Sequence, residues 1–182
     1  MTLREELLDG CAVALAGGVP GAVREALSAL DASIEELGDQ DTEEWVKAHL
    51  PLDAVVYDAR EAFAQGGQPG LRAASDGAWA TVRAVATGAL IPEQRGKVIL
   101  VGPRSDAGEF ATATRAALEN LARTLSVEWA RYGITVTMVA PSQSTADSEI
   151  GELIAFLLSR AGDYFSGCRF ELGAVPRRRQ RS

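Results

Sequence analysis

The chain has 182 residues, 47% of them hydrophobic, which is enough for one globular domain and too little for several. Its net charge of −7 argues against general nucleic-acid binding, and no apolar run approaches the roughly 18–20 residues that span a bilayer. The two cysteines, Cys11 and Cys168, form neither a disulfide framework nor a metal pattern, and His49 is the only histidine. Because two separated cysteines suit a reducing compartment and the charged N-terminus is unlike a signal peptide, we expect a cytoplasmic protein. With this cysteine pattern and a single histidine, no metal site is expected.

The alternation of strand and helix patterns predicts the fold. The apolar run Ala12–Ala16 and the Gly/Pro turn at 17–21 precede a helical spacing of apolar residues, as in the opening of a dinucleotide-binding fold. The further predicted elements are, in chain order, a weak strand at 33–37, a helix from a capping box at 41–44 to Leu50, a strand at 52–57, a loop at 65–70, a helix at 71–90, a strand at 97–101, a helix at 110–131, a strand at 134–139, a helix at 148–159 and a strand at 168–172. This order predicts an α/β Rossmann-like doubly wound parallel sheet.

The charge is unevenly distributed. Residues 1–175 are predicted to form the single domain, and residues 176–182 a disordered basic tail with four arginines. Without that tail, 14 cationic residues stand against 25 acidic ones. An alternative is that the tail is an arm that pairs with a phosphate or an acidic partner surface.

Three blocks of sequence resemble the short-chain dehydrogenase/reductase (SDR) superfamily. Residues 96–101 resemble the strand that leads to the family's catalytic serine, and 115–141 its active-site helix and following strand. Residues 149–173 resemble its C-terminal helix, Gly turn and last strand, and 52–59 are a fainter match. The chain is similar to a truncated, catalytically degenerate 3-oxoacyl-acyl-carrier-protein reductase. The resemblance implies a sheet with fewer strands than a full family member, and almost no substrate lid after Pro141.

The resemblance places the family's catalytic residues at positions that cannot do the same chemistry. Its Tyr-x-x-x-Lys pair falls on Ala111 and Arg115, and its serine at or near Pro103. Ala111 has no proton to donate, and an arginine does not release one usefully. The only asparagine, Asn120, lies within the active-site helix, so the family's catalytic asparagine is missing as well. We therefore expect no SDR-type hydride transfer by this chain alone.

The Gly-rich turn is a reduced form of the family's pyrophosphate-binding motif. Gly17 and Gly21 are retained, Val23 replaces the third glycine, and Pro20 removes one backbone donor. Such a turn is more commonly a plain connection between strand and helix. Asp58 brings negative charge to the place where phosphate or ribose would lie. No cofactor is expected, and NAD(P) belongs only to the alternative of an atypical oxidoreductase.

The parts that are retained are those through which SDR subunits pair. The resemblance implies interfaces made by the helices at 71–90, 110–131 and 148–159 and by the last strand. The predicted interface residues are Ala113, Ala117, Leu118, Leu121, Leu125, Trp129 and Phe170. The alternative is that they only pack the chain's own core.

These observations leave three functional hypotheses. The first is a non-catalytic subunit that forms a hetero-oligomer, a dimer or tetramer, with an active SDR and supports its assembly or active site; a homodimer is also open. The second is an NAD(P)-dependent oxidoreductase with an atypical site built on Arg115 and Ser105. The third is a homo-oligomeric module that binds a small ligand in the vacated cleft, unless side chains such as Tyr57 and Arg60 fill it.

Overall fold

A computed structural model describes residues 7–173 as a six-stranded, entirely parallel sheet with strand order β2-β1-β3-β4-β5-β6. The strands are β1 (Ala12–Ala16), β2 (Ser33–Leu37), β3 (Ala54–Asp58), β4 (Gly96–Val101), β5 (Ile134–Pro141) and β6 (Arg169–Leu172). The helices are α1 (Gly21–Ser28), α2 (Thr42–Ala48), α3 (Arg60–Phe63), α4 (Gly67–Val85), α5 (Ala111–Glu128) and α6 (Asp147–Leu158). The predicted α/β doubly wound fold is confirmed. The tail predicted at 176–182 lies outside the described residues.

Two apolar layers hold the helices against the sheet. On one face, Val55 and Leu100 belong to the core that includes residues of α2, α4 and α5. On the other face, Val56 and Ile99 belong to the core that includes residues of α1 and α6. Alternate strand residues point to opposite faces, so the buried strands are apolar along their whole length. Between α1 and β3 the chain has one strand and one helix, β2 and α2, as predicted.

Several predicted boundaries are wrong. The loop expected at 65–70 is helical from Gly67, because Pro69 falls in the first turn of α4, where no backbone N–H is needed. The helix predicted to reach Leu50 ends at Ala48, and only the Asp41 half of its capping box forms, with the Glu44 N–H donating at 2.9 Å. α4 continues into a π-helical turn at Ala86–Leu90, and β5 extends two residues beyond its predicted end.

The connection between β5 and α6 is short. Only residues 142–146 separate the two elements, which leaves no room for a lid over the carboxyl edge of the sheet. α6 then packs closely on α1, where a Cβ added at Gly151 would lie 2.8 Å from the Ala26 Cβ and 3.2 Å from the Val23 Cα. Among residues 7–173, no helix has the length and apolar character that crossing a membrane requires.

Candidate functional site at the carboxyl edge of the sheet

The carboxyl ends of the strands define the candidate site. In open α/β sheets, ligands bind outside this edge, in the crevice where the strand order reverses. Here that reversal lies between β1 and β3, since the chain first moves outward from β1 to β2 and then back past β1 to β3. The segments that meet at the crevice are the Gly turn after β1, the first turn after β3 and the ends of β4 and β5.

Two glycines of the turn after β1 are required by close contacts with other segments of this chain. Gly17 has φ +81°, and a Cβ there would collide with the carbonyl oxygen of Asp58, so glycine allows β1 and β3 to meet closely. Gly18 has φ +72°, and the carboxylate of Glu61 lies against it, with Cδ 2.7 Å from an added Cβ. Gly21 begins α1 and has open space around it. A carboxylate therefore occupies the space beside the turn where the SDR resemblance would place phosphate.

Val23 does not obstruct the cleft. Its side chain is fully buried in the core between the sheet and the α1–α6 layer. The valine that replaces the third glycine of the motif is therefore accommodated in the core and does not face a ligand. The close approach at this position is supplied by Gly151 of α6, whose missing side chain leaves room for Val23.

A network of ion pairs lines one side of the crevice, beside an open cavity of about 470 Å³ that also borders Gly18. Asp58, only 1% exposed, accepts hydrogen bonds from Arg60 Nε at 2.9 Å and Nη2 at 2.7 Å. Arg60 Nη1 donates to Asp147 Oδ1 at 2.6 Å, and Arg104 Nη2 donates to the same oxygen at 3.0 Å. Arg104 Nη1 also donates to the Ser142 carbonyl at 3.0 Å. Side chains at or just beyond the ends of β3, β4 and β5 are thereby joined into one hydrogen-bonded network.

Burial and ion pairing have opposite effects on the pKa values of Asp58 and Arg60. Burial raises the pKa of Asp58, and the hydrogen bonds and charge of Arg60 oppose that rise. Burial acts to lower the pKa of Arg60, but its hydrogen bonds to Asp58 and Asp147 outweigh this and raise it. Arg60 consequently stays a fixed cation that is neutralised by carboxylates of its own chain.

The three positions that the resemblance matched to catalytic residues, Pro103, Ala111 and Arg115, lie near the ends of β4 and β5. Ala111 is buried, one helical turn before Arg115 on α5. Arg115 is 6% exposed, and its Nη1 donates to the carbonyl oxygens of Pro103 at 2.9 Å and Pro141 at 2.7 Å. Its Nη2 donates to Glu171 Oε1 at 2.9 Å. The cation at the family's lysine position thus joins α5 to β4, β5 and β6, while Ser105 is exposed and makes none of these contacts.

The predicted interface residues divide by exposure. Ala113 and Ala117 are exposed, and Leu121 and Phe170 are half-buried. The remaining three are buried in the core between α5 and the sheet: Leu118, Leu125 and Trp129. Those three side chains have almost no exposed surface with which to contact a partner. Only the other four predicted residues can take part in an interface.

Some residues of the site were missed by sequence reasoning. Asp147 and Arg104 had no recognisable signal, because they follow different strands and meet only in the fold. Glu61 could have been noticed as a carboxylate one turn after the β3 strand. Within residues 7–173, no group of three His, Cys, Asp or Glu side chains is placed to hold a metal ion.

Comparison with known proteins identifies the fold. No protein-family model matches the sequence, and no curated protein is significantly similar to it. Among solved structures, the chain is similar to a hydroxysteroid dehydrogenase from Escherichia coli, with TM-score 0.74, 14% identity and 93% and 98% of the two chains covered. It is also similar to gox2181, with TM-score 0.73, 16% identity and 92% and 95% covered. BdcA (YjgI) from E. coli gives TM-score 0.69 and 18% identity, with 91% and 100% covered.

The chain therefore has the Rossmann-like α/β fold that these solved structures share. At such low identity, the likeness establishes the fold and leaves function to the site.

Proposed function

We propose that this chain is a non-catalytic subunit that pairs with a catalytically complete protein of the same fold. The observation that carries the proposal is the ion-pair network at the carboxyl edge. Asp58, Arg60, Asp147 and Arg104 neutralise one another in the crevice, and Arg115 is bound to two backbone carbonyls and Glu171. Charged groups held in this way stabilise the edge of the sheet and are unavailable to a substrate.

The catalytic positions lack a proton donor. A carbonyl reductase needs an acid within hydrogen-bond reach of the substrate oxygen. Ala111 offers a methyl group, and Pro103 offers only a carbonyl that already accepts from Arg115. Arginine as a residue type is not a usable general acid, and the Arg115 guanidinium is already bonded to two carbonyls and Glu171. The geometry therefore supports a structural role for this edge.

The outer face of α5 supports a pairing role. One stripe of exposed positions carries small or uncharged side chains over about four turns, and the exposed charged residues Arg123 and Glu128 flank it. The positions in this stripe are Ala113, Ala116, Ala117, Asn120, Thr124 and Val127. Beside them on α4, Trp79 is 45% exposed, and a groove of about 340 Å³ runs between Trp79, Ala117 and Leu121. Exposed tryptophan beside small residues is typical of the centre of a protein interface.

Co-expression with an intact SDR from the same genome tests the proposal. We expect the two chains to co-elute, and the partner's activity or stability to fall when this chain is absent. Ala117→Glu should abolish co-elution, because it places an unpaired charge inside the interface. Tyr164→Ala is the matched control, since Tyr164 is 89% exposed and is not on the α4–α5 face. Independent elution of the two proteins with unchanged partner activity would contradict the proposal.

A second function is favoured by one observation. A cavity of about 510 Å³ remains open beside Gly17 and Gly18, at the place where a dinucleotide-binding fold holds its nucleotide. An NAD(P)-dependent oxidoreductase with an atypical site would use it. Titration with NADH and NADPH, followed by fluorescence, separates the two functions. Saturable binding favours the oxidoreductase, and absence of binding at millimolar cofactor rules it out.

A further inference from the structure

The cavity beside the Gly turn has a charge that does not suit a nucleotide. It is bordered by the ends of β1, β2 and β3, and its volume of about 510 Å³ is in the usual range for small-molecule sites. Three carboxylates border it, those of Glu36, Asp39 and Glu61, against the single guanidinium of Arg24. A pyrophosphate group would meet a net negative wall, which raises the free energy of binding an anion.

Two of these carboxylates have no partner of their own. Arg24 forms an ion pair with Glu36, so that this pair is neutral as a unit. Neither Asp39 nor Glu61 has a hydrogen bond or ion pair from its side chain to any of the residues that the structure describes. Two uncompensated negative charges therefore face the same cavity.

An independent observation comes from Tyr57. Its side chain is 5% exposed and borders the cavity, yet within residues 7–173 its hydroxyl has no hydrogen-bond partner. The ring packs against Gly77, where an added Cβ would lie 3.2 Å from the tyrosine Cζ. Burial, and then the nearby Asp58, raise the pKa of Tyr57, so its hydroxyl stays protonated at neutral pH. The hydroxyl oxygen is not one of the fully enclosed unpartnered atoms of the described residues, so it opens onto the cavity, where a ligand or water supplies its hydrogen bond.

We propose that this cavity binds a small organic cation with at least two amino groups. Ammonium groups would pair with the carboxylates of Asp39 and Glu61, and one N–H would donate to the Tyr57 hydroxyl oxygen. Glu61 lies against Gly18, where a phosphate would need to approach the backbone, so this proposal and the NAD(P) alternative exclude one another. This inference is independent of the pairing proposed above, because the α4–α5 face takes no part in it.

The test is calorimetric titration of the full-length protein with spermidine as the probe. We expect saturable binding with one site, weakened by added salt because the contacts are ionic. Tyr57→Phe and Glu61→Gln should each weaken binding by about tenfold, since each removes one hydrogen bond, charge-assisted in the second case. Glu128→Gln is the matched control: it makes the same charge change on α5, away from the cavity, and should leave binding unchanged.

Three results would overturn the proposal. The first is absence of binding by spermidine at millimolar concentration. The second is equal weakening by Glu128→Gln and Glu61→Gln, which would mean that spermidine binds the acidic surface without a site. The third is displacement of spermidine by NADH, which would make the cavity a nucleotide site. Circular dichroism melting of each variant separates a lost contact from a lost fold, and the co-elution assay separates this outcome from failure of the pairing proposal.

Discussion

Replacing Arg115 with methionine tests whether the cation at the degenerate catalytic position is structural. The guanidinium is 6% exposed and is the donor to the carbonyl oxygens of Pro103 and Pro141, at 2.9 and 2.7 Å. Methionine keeps most of the aliphatic packing but donates nothing. Arg115→Met therefore isolates the loss of the hydrogen bonds.

The expected loss follows from those contacts. Two buried carbonyls without donors cost about 1–2 kcal/mol each, and the ion pair to Glu171, whose side chain is 57% exposed, adds less than about 0.5 kcal/mol after solvent screening. The free energy of unfolding should fall by about 3 kcal/mol. With a urea m-value of about 2 kcal/mol/M for a domain of this size, the midpoint should fall by about 1.5 M.

Urea unfolding followed by circular dichroism measures this shift. Arg115→Lys keeps the charge but cannot reach both carbonyls and Glu171 at once, so about half of the loss is expected. Arg123→Met is the matched control, because the Arg123 side chain is 65% exposed in its pair with Glu119 and such a pair contributes at most about 0.5 kcal/mol. Equal midpoints for Arg115→Met and Arg123→Met would refute the structural role.

Three further outcomes are expected. The hydrogen bond from Arg169 lowers the pKa of Glu171 from 4.5, so its stabilising contribution is present above that pH and lost below it; Glu171→Gln should flatten the acid side of a stability–pH profile. Burial, and then a neighbouring aspartate, raise the pKa of Cys11 to about 11, whereas Cys168 is exposed; iodoacetamide at mildly alkaline pH should modify Cys168 first by mass spectrometry, and equal rates would contradict this. Gly151→Ala should destabilise the protein by about 1–3 kcal/mol in thermal melts, because its Cβ would overpack the α1–α6 contact.

The fold could be predicted from the sequence because its signals are local. The apolar runs of β1, β3 and β4, and the helical spacing of apolar residues in α5, indicate which residues are buried in the core. The error at 65–70 has a local cause as well. Gly66, Gly67 and Pro69 are typical of a loop, yet proline in a first helical turn loses no hydrogen bond.

For the site, the sequence alone permits only statements about the chemistry of single residues. That Ala111 has no proton to donate follows from its identity alone. What replaces the chemistry depends on residues far apart in the chain: Arg60 and Asp147 are 87 positions apart and meet at 2.6 Å. No spacing rule encodes such a pair, because it depends on how the ends of β3 and β5 are placed in the sheet. The role of Arg115 was similarly hidden, since its carbonyl partners carry no sequence signal.

The buried pair of Asp58 and Arg60 has a consequence for how this chain can evolve. Asp58 is the last residue of β3 and Arg60 the first of α3, so two codons only two positions apart specify the pair. Replacing Asp58 alone leaves Arg60 paired with Asp147. Replacing Arg60 alone, however, leaves Asp58 as an uncompensated buried charge, which costs about 3–5 kcal/mol. Such a loss is a large part of the stability of an ordinary domain. The order of substitution therefore matters: loss of Asp58 first is tolerated better than loss of Arg60 first, so the effects of the two substitutions are not additive.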